Sequence, residues 1–163
     1  MVGPTKAQPC FFNAFDSAMD CAEVDAVWIV TPNTLHPEQI IAALRAGKHV
    51  FCEKPLSLDI DECLQVEAEA AKHPHLKVMI GFVRRFDASY QDAQQKIAAG
   101  SIGKPFMVRS ETCDMNDPSG FFVRFAPTSG GIFVVMSVHD IDLARCLLGS
   151  PKPLRVFSAG TIA

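Results

Sequence analysis

The first half of the chain swaps one hydrophobic period for another several times. Residues 24–30, VDAVWIV, are almost continuously apolar, the pattern of a strand covered by helices on both faces. Pro32 ends that run, Asn33 or Thr34 can cap a following helix, and Pro37 is tolerated in its first turn. Ile40, Ile41 and Leu44 make one apolar helical stripe. Gly47 supplies a left-handed stop, with Arg45 and Lys48 at the negative end of the helix dipole. Residues 49–52 read as a second short strand. Leu58, Asp59 and Glu62 read as a staple and capping box for a helix running to about Lys72, and residues 77–83 as a third strand. The order β-α-β-α-β with short connections predicts an α/β fold with a parallel, doubly wound sheet. Ligands bind such sheets at the carboxyl ends of the strands, so Thr31, Asn33, His36, Glu53 and Lys54 are expected to converge on one crevice.

The second half carries weaker patterns. Residues 90–99 predict a helix stopped by Gly100, and 106–112 a strand. Residues 121–126 are apolar but flanked by Pro and Gly. Residues 132–148 predict a long apolar helix ended by Gly149 and Pro151, and 154–159 the start of another strand. The one composition break that resembles a domain boundary is GFVRRF, dividing the chain into 1–84 and 85–163.

Composition narrows the function classes. A net charge of −3 and the lack of a basic patch with interleaved aromatics argue against nucleic acid. No stretch approaches membrane-spanning length, and the N-terminal residues lack a signal peptide's apolar core, so a cytoplasmic protein is expected. The six cysteines, at 10, 21, 52, 63, 113 and 146, show no C-x-x-C. They read as buried thiols, neither a zinc site nor a disulfide frame. Asp114, Asn116 and Asp117 suggest a turn around Pro118 far more than a metal loop. Arg84 and Arg85 suggest a salt-bridged pair at the junction.

Four motifs in order, TPNTLH, AGKHVFCEKPL, GFVRRF and SGGIFVVMSVHDIDLARCLLG, resemble the Gfo/Idh/MocA oxidoreductases, in particular their inositol 2-dehydrogenase-like members. The resemblance runs from about Asp16 to the C-terminus. It implies a Rossmann domain that binds NAD or NADP, followed by an α+β substrate domain with a largely antiparallel sheet. It implies hydride transfer between the nicotinamide and a hydroxyl of a cyclitol, sugar or related polyol. By resemblance Lys54 is the catalytic lysine, held by Glu53 and Pro55 with the Lys54–Pro55 bond cis, and His139 is the proton-transfer residue. Thr31, Pro32, Asn33 and His36 would line the cofactor with Glu53, Lys54 and Pro55. Members commonly pair into homo-oligomers.

Two departures stand out. No G-x-G-x-x-G lies upstream of residue 24, although that turn brings backbone N–H groups and a helix N-terminus against a pyrophosphate. The family's usual Asp, four residues before the histidine, falls on Val135. The chain is therefore expected to be a middle piece of a longer enzyme. Removing the first strands would uncover an apolar edge beside residues 24–30 that favours self-association. The alternative is a non-catalytic binding or regulatory relative, or an inactive truncated fragment of such an enzyme.

Overall fold

Three short parallel strands, β1 (Ala26–Ile29), β2 (His49–Cys52) and β3 (Val78–Ile80), stand in the order β1-β2-β3 in a computed structural model that describes residues 12, 14–115 and 117–160. The register pairs Ala26 with His49, Ile29 with Cys52, and Cys52 with Ile80. The chain divides between Gly81 and Phe82 into two units.

In the first unit, α1 (Phe15–Met19), α2 (His36–Arg45) and α3 (Ile60–Lys72) contribute to one core with the strands. Strand residues alternate between faces. Ile29, Val50 and Cys52 pack with Met19, Ile40, Ala43, Leu44 and Val66, and Val27, Val78 and Ile80 lie against them. The opposite face carries Trp28, Phe51 and Met79. Trp28 is 68 % exposed and meets Phe51 edge-on at 5.3 Å between ring centroids. Cover on both faces, expected from the apolar run, is therefore found on one face only among the described residues. An apolar run shows that a strand is suited to burial, and what buries it is a separate matter.

The helix boundaries follow local chemistry. A 3₁₀ turn, Asn33–Leu35, leads into α2, and neither Asn33 nor Thr34 caps it through a side chain; the turn's backbone bond from Leu35 to Pro32 starts the helix instead. At the other end, Lys48 N donates to Ala43 O and Gly47 N to Leu44 O, with Gly47 at φ 74°. This is the Schellman stop that a left-handed glycine permits. Lys48, expected beside the helix dipole, is instead buried, and its Nζ donates to Cys21 O at 2.8 Å. Asp59 caps α3 by accepting from Asp61 N and Glu62 N. The return arm of the capping box is rerouted. Glu62 bonds the Ser57 hydroxyl, and Ser57 in turn accepts from Asp59 N at 3.0 Å.

The second unit opens with α4 (Ala88–Ala98), capped by Asp87 and stopped at Gly100, which sits at φ 73°. A short α5 (Phe121–Phe125) follows. The expected long helix is divided into a π-helical segment, Phe133–Ser137, and α6 (Val138–Leu147). The strands expected at 106–112 and 154–159 do not form. A strand needs a ladder partner and no residue described between 82 and 160 provides one, so Phe106 and Phe157 are left at least 90 % exposed. Arg84 does form an ion pair, to Asp140 at 2.6 Å, and Arg85 pairs with Asp142. Asp117 accepts from Ser119 N and Phe121 N, a turn as expected, while Asn116 lies outside the described residues. No single helix among the described residues is long and apolar enough to cross a membrane. One pair, Phe121–Thr128 with Phe133–Leu147, reaches that length and apolarity together, broken by a 90° bend.

Glu69 fastens α3 to the end of α2. Its carboxylate, on a residue 6 % exposed, accepts from Arg45 Nε at 3.0 Å and Lys72 Nζ at 2.7 Å, with His73 Nε2 at 3.5 Å. Hydrogen bonds from Arg45 and Lys72 hold its pKa down at about 2, against an ordinary 4.5. A depressed carboxyl pKa stabilises the fold fully above the unfolded value and loses that contribution as pH falls through the folded one. Glu69→Gln is therefore expected to lower Tm at neutral pH and to shrink the fall in Tm between about pH 4.5 and about pH 2. Circular dichroism melts across that range check it, and parallel acid profiles for the two proteins would contradict the assignment.

Candidate functional site

The hydrogen-bond ladder of the first unit continues one step past each strand. Glu53 N donates to Ile29 O at 2.9 Å, and Gly81 N donates to Cys52 O at 2.7 Å. These bonds align the residues that follow β1, β2 and β3 at one end of the sheet. Thr31 and Pro32 are exposed there, Asn33, Glu53, Lys54 and Pro55 are half-buried, and the Lys54–Pro55 peptide is cis. Thr31 Oγ1 donates to Gln39 Oε1 at 2.7 Å, tying the turn to α2.

His36, also expected at the cofactor, stands deeper than these residues. It is 1 % exposed and lies beneath the strand-end loops, with Nδ1 2.8 Å from Pro55 O and Nε2 2.9 Å from Thr31 O. Its contacts are to the two loops. Six of the seven residues expected at the cofactor, Thr31, Pro32, Asn33, Glu53, Lys54 and Pro55, thus sit in the two loops, and the seventh joins them from below.

Gly81 was not foreseen as part of this end of the sheet. A Cβ there would lie 3.3 Å from Glu53 Oε2 and 3.4 Å from Cys52 O, so glycine lets the third strand end close against the Glu53 carboxylate. The available signal was a glycine inside the run expected as the third strand, a position that often marks close backbone approach. Cys52 is fully buried, and desolvation, with the Glu53 charge beside it, pushes its thiol up to about 12. It is no nucleophile at neutral pH. Of the described cysteines it is the one buried thiol: Cys113 is exposed and Cys21, Cys63 and Cys146 are intermediate, while Cys10 lies outside the described residues.

In the second unit His139 stands in the first turn of α6, half-buried, directly after the π-helical segment that holds Val135. Interruptions of this kind are frequent at functional sites. The nearby carboxylates are committed elsewhere. Burial pushes the Asp140 carboxyl up, but hydrogen bonds from Ser110, Thr112 and Arg84 outweigh it and hold the group below its ordinary range. Asp142 is taken by Arg85. Among the described residues no group of three or more His, Cys, Asp or Glu side chains could hold a metal ion.

Known proteins are similar to this chain in both sequence and fold. Residues 5–82 match the Gfo/Idh/MocA family described as an oxidoreductase family with an NAD-binding Rossmann fold, and residues 90–162 match the Gfo/Idh/MocA C-terminal domain. Scyllo-inositol 2-dehydrogenase (NAD(+)) of Bacillus subtilis is 44 % identical over 127 residues, 78 % of this chain and 36 % of the relative. Inositol 2-dehydrogenase of Rhizobium meliloti is 38 % identical over 159 residues, 96 % of this chain and 46 % of the relative. The crystal structure of scyllo-inositol dehydrogenase from Lactobacillus casei with bound NAD(H) and scyllo-inositol superposes with a TM-score of 0.75 at 45 % identity, covering 85 % of this chain and 41 % of that one. The chain thus spans less than half the length of these relatives. With both family domains matched in order and the Rossmann-like parallel sheet in place, the chain belongs to the Gfo/Idh/MocA oxidoreductase family.

Proposed function

We propose that the protein is a cytoplasmic NAD(P)-dependent oxidoreductase acting on a hydroxyl of a cyclitol or related polyol, and that this chain carries the nicotinamide side of its nucleotide site. The observation that carries the reading is the row of strand-end loops, Thr31–Asn33, Glu53–Pro55 and Gly81, closed up by the ladder bonds to Ile29 O and Cys52 O. Gly81 fits a ligand lying along this row, because a side chain there would press on Glu53. The printed names of the relatives, scyllo-inositol 2-dehydrogenase and inositol 2-dehydrogenase, support the substrate class.

The nucleotide, when bound, supplies the hydride acceptor for alcohol oxidation. Thr31, Pro32 and Asn33 on one loop and Glu53 and Pro55 on the other would hold it. The Lys54 ammonium, on the half-buried loop between Glu53 and Pro55, would steady the negative charge that develops on the substrate oxygen, as a cation near an alkoxide does. In the second unit, the His139 imidazole would take the hydroxyl proton, a role suited to a group that changes charge near neutrality. A second copy of the chain is the expected partner.

Val135 favours a second reading, a relative that binds nucleotide without turning substrate over. It places an apolar, half-buried side chain four residues before His139, where residues on one helix share a face and where a carboxylate would orient the ring.

Three measurements test the proposal. A ligand that binds only the folded state stabilises it by RT ln(1 + [L]/Kd), about 2.7 kcal/mol at a hundredfold excess over Kd. Thermal melts with NADH and NADPH are expected to show a cooperative transition that rises with at least one of them, and a transition blind to both removes the nucleotide reading. Gly81→Ala is expected to shrink that rise while the ligand-free melt moves by only a few degrees; an unchanged rise would take Gly81 out of the site. Val135→Asp is expected to raise NADH formation from myo- or scyllo-inositol by about tenfold or more, within the range of an oriented general base. No gain would favour the binding-only relative.

A further inference from the structure

The His36 ring holds two loops at once. Nδ1 lies 2.8 Å from Pro55 O and Nε2 2.9 Å from Thr31 O, on a residue 1 % exposed. Both partners are acceptors. A neutral imidazole carries one N–H and satisfies one of them, while a ring protonated at both nitrogens satisfies two. The two carbonyls differ in their surroundings. Thr31 is an exposed residue and Pro55 a half-buried one, and the more a carbonyl is shielded from water the costlier it is to leave without a donor.

We propose that His36 is a positioning residue for Lys54: its Nδ1 donates to Pro55 O and holds the Glu53–Lys54–Pro55 loop against the turn after β1 before any ligand arrives. The neighbouring geometry supports this. The same loop is fixed at its start by Glu53 N on Ile29 O at 2.9 Å, and the His36–Pro55 bond fixes it again two residues later, with Lys54 between the two anchors. The turn after β1 is likewise held to α2 at Thr31 by Gln39. His36 sits in the first turn of α2, so one helix start grips both loops, and Lys54 stands where the backbone puts it. The inference rests on the ring's contacts, and only its consequence for nucleotide affinity rests on the proposed function.

Two conservative variants separate the contacts. The amide nitrogen of Asn occupies roughly the place of Nδ1 and that of Gln roughly the place of Nε2, so His36→Asn keeps the bond to Pro55 O and His36→Gln keeps the bond to Thr31 O. Amine labelling of Lys54, read by peptide mass spectrometry against exposed Lys72 and Lys96 in the same sample, reports the loop. Loss of one such hydrogen bond shifts a local equilibrium by about threefold to tenfold. His36→Gln is expected to change the Lys54 rate by that factor with Lys72 and Lys96 unmoved, and His36→Asn is expected to leave all three within about twofold of the parent. Equal responses of the two variants, or no response at Lys54 in either, overturn the proposal. If His36→Gln loses its cooperative melt, the imidazole ¹⁵N–¹H spectrum of the parent decides: a proton on Nδ1 supports the proposal and a bare Nδ1 overturns it. NADH and NADPH titrations on the same samples keep the questions apart. A parent that binds neither nucleotide overturns the proposed function, and Lys54 labelling still judges the role of His36.

Discussion

Parallel strands end with their carbonyls at one edge of the sheet, and each of those carbonyls must find a donor. In the first unit the donors come from the chain that follows the neighbouring strand. Ile29 O is met by Glu53 N and Cys52 O by Gly81 N, so satisfying the ladder also lines up the loops that carry Thr31, Lys54 and Gly81. One step further out the ladder stops, and the ring of His36 lies between Thr31 O and Pro55 O, within 2.9 Å of each. Backbone polar groups shielded from water are nearly always paired, and here the pairing is what brings the strand-end loops into line.

That edge is held steady by a core placed to one side. Ile40, Ala43 and Leu44 of α2 are fully buried against Ile29, Val50 and Cys52, which fixes α2 under the sheet and therefore fixes His36, four residues before Ile40. The far end of α2 is secured by the Schellman stop at Gly47 and by Glu69, whose buried carboxylate gathers Arg45 and Lys72. Polar contacts at the two ends of one helix thus do different work. At the C-terminal end they bind helix to helix, and at the N-terminal end they bind helix to the strand-end loops.

Much of this was legible in the sequence. The period change from apolar run to helical stripe located β1, α2 and β2, because burial on a sheet and burial on a helix demand different spacings. The motif around Glu53, Lys54 and Pro55 placed the loop that follows β2, cis peptide included. Other features were hidden for physical reasons. Nothing in the letters of TPNTLH distinguishes a histidine facing a ligand from one turned inward, since the ring suits both, and only the depth of α2 against the sheet decides it. Lys48 reads as a cation at the end of the helix dipole, and its burial with the amine on Cys21 O shows only in the packing. The strands expected at 106–112 and 154–159 failed for a different reason: β-propensity describes a fit to a partner, and the described residues of the second unit hold none.

The second unit narrows what His139 can be. Asp140 is adjacent and Asp142 lies three residues on, yet Arg84, Ser110 and Thr112 have claimed the first and Arg85 the second. Each is thereby drawn toward the segment that opens the unit. A helix offers a ring partners on its own face only at three or four residues' distance. Upstream of His139 those places hold Met136 and Val135, inside the π-helical segment Phe133–Ser137, and both are apolar. The upstream side of the histidine's helix face is therefore apolar, and position 135 is where the two proposed readings, an oxidoreductase and a binding-only relative, part company.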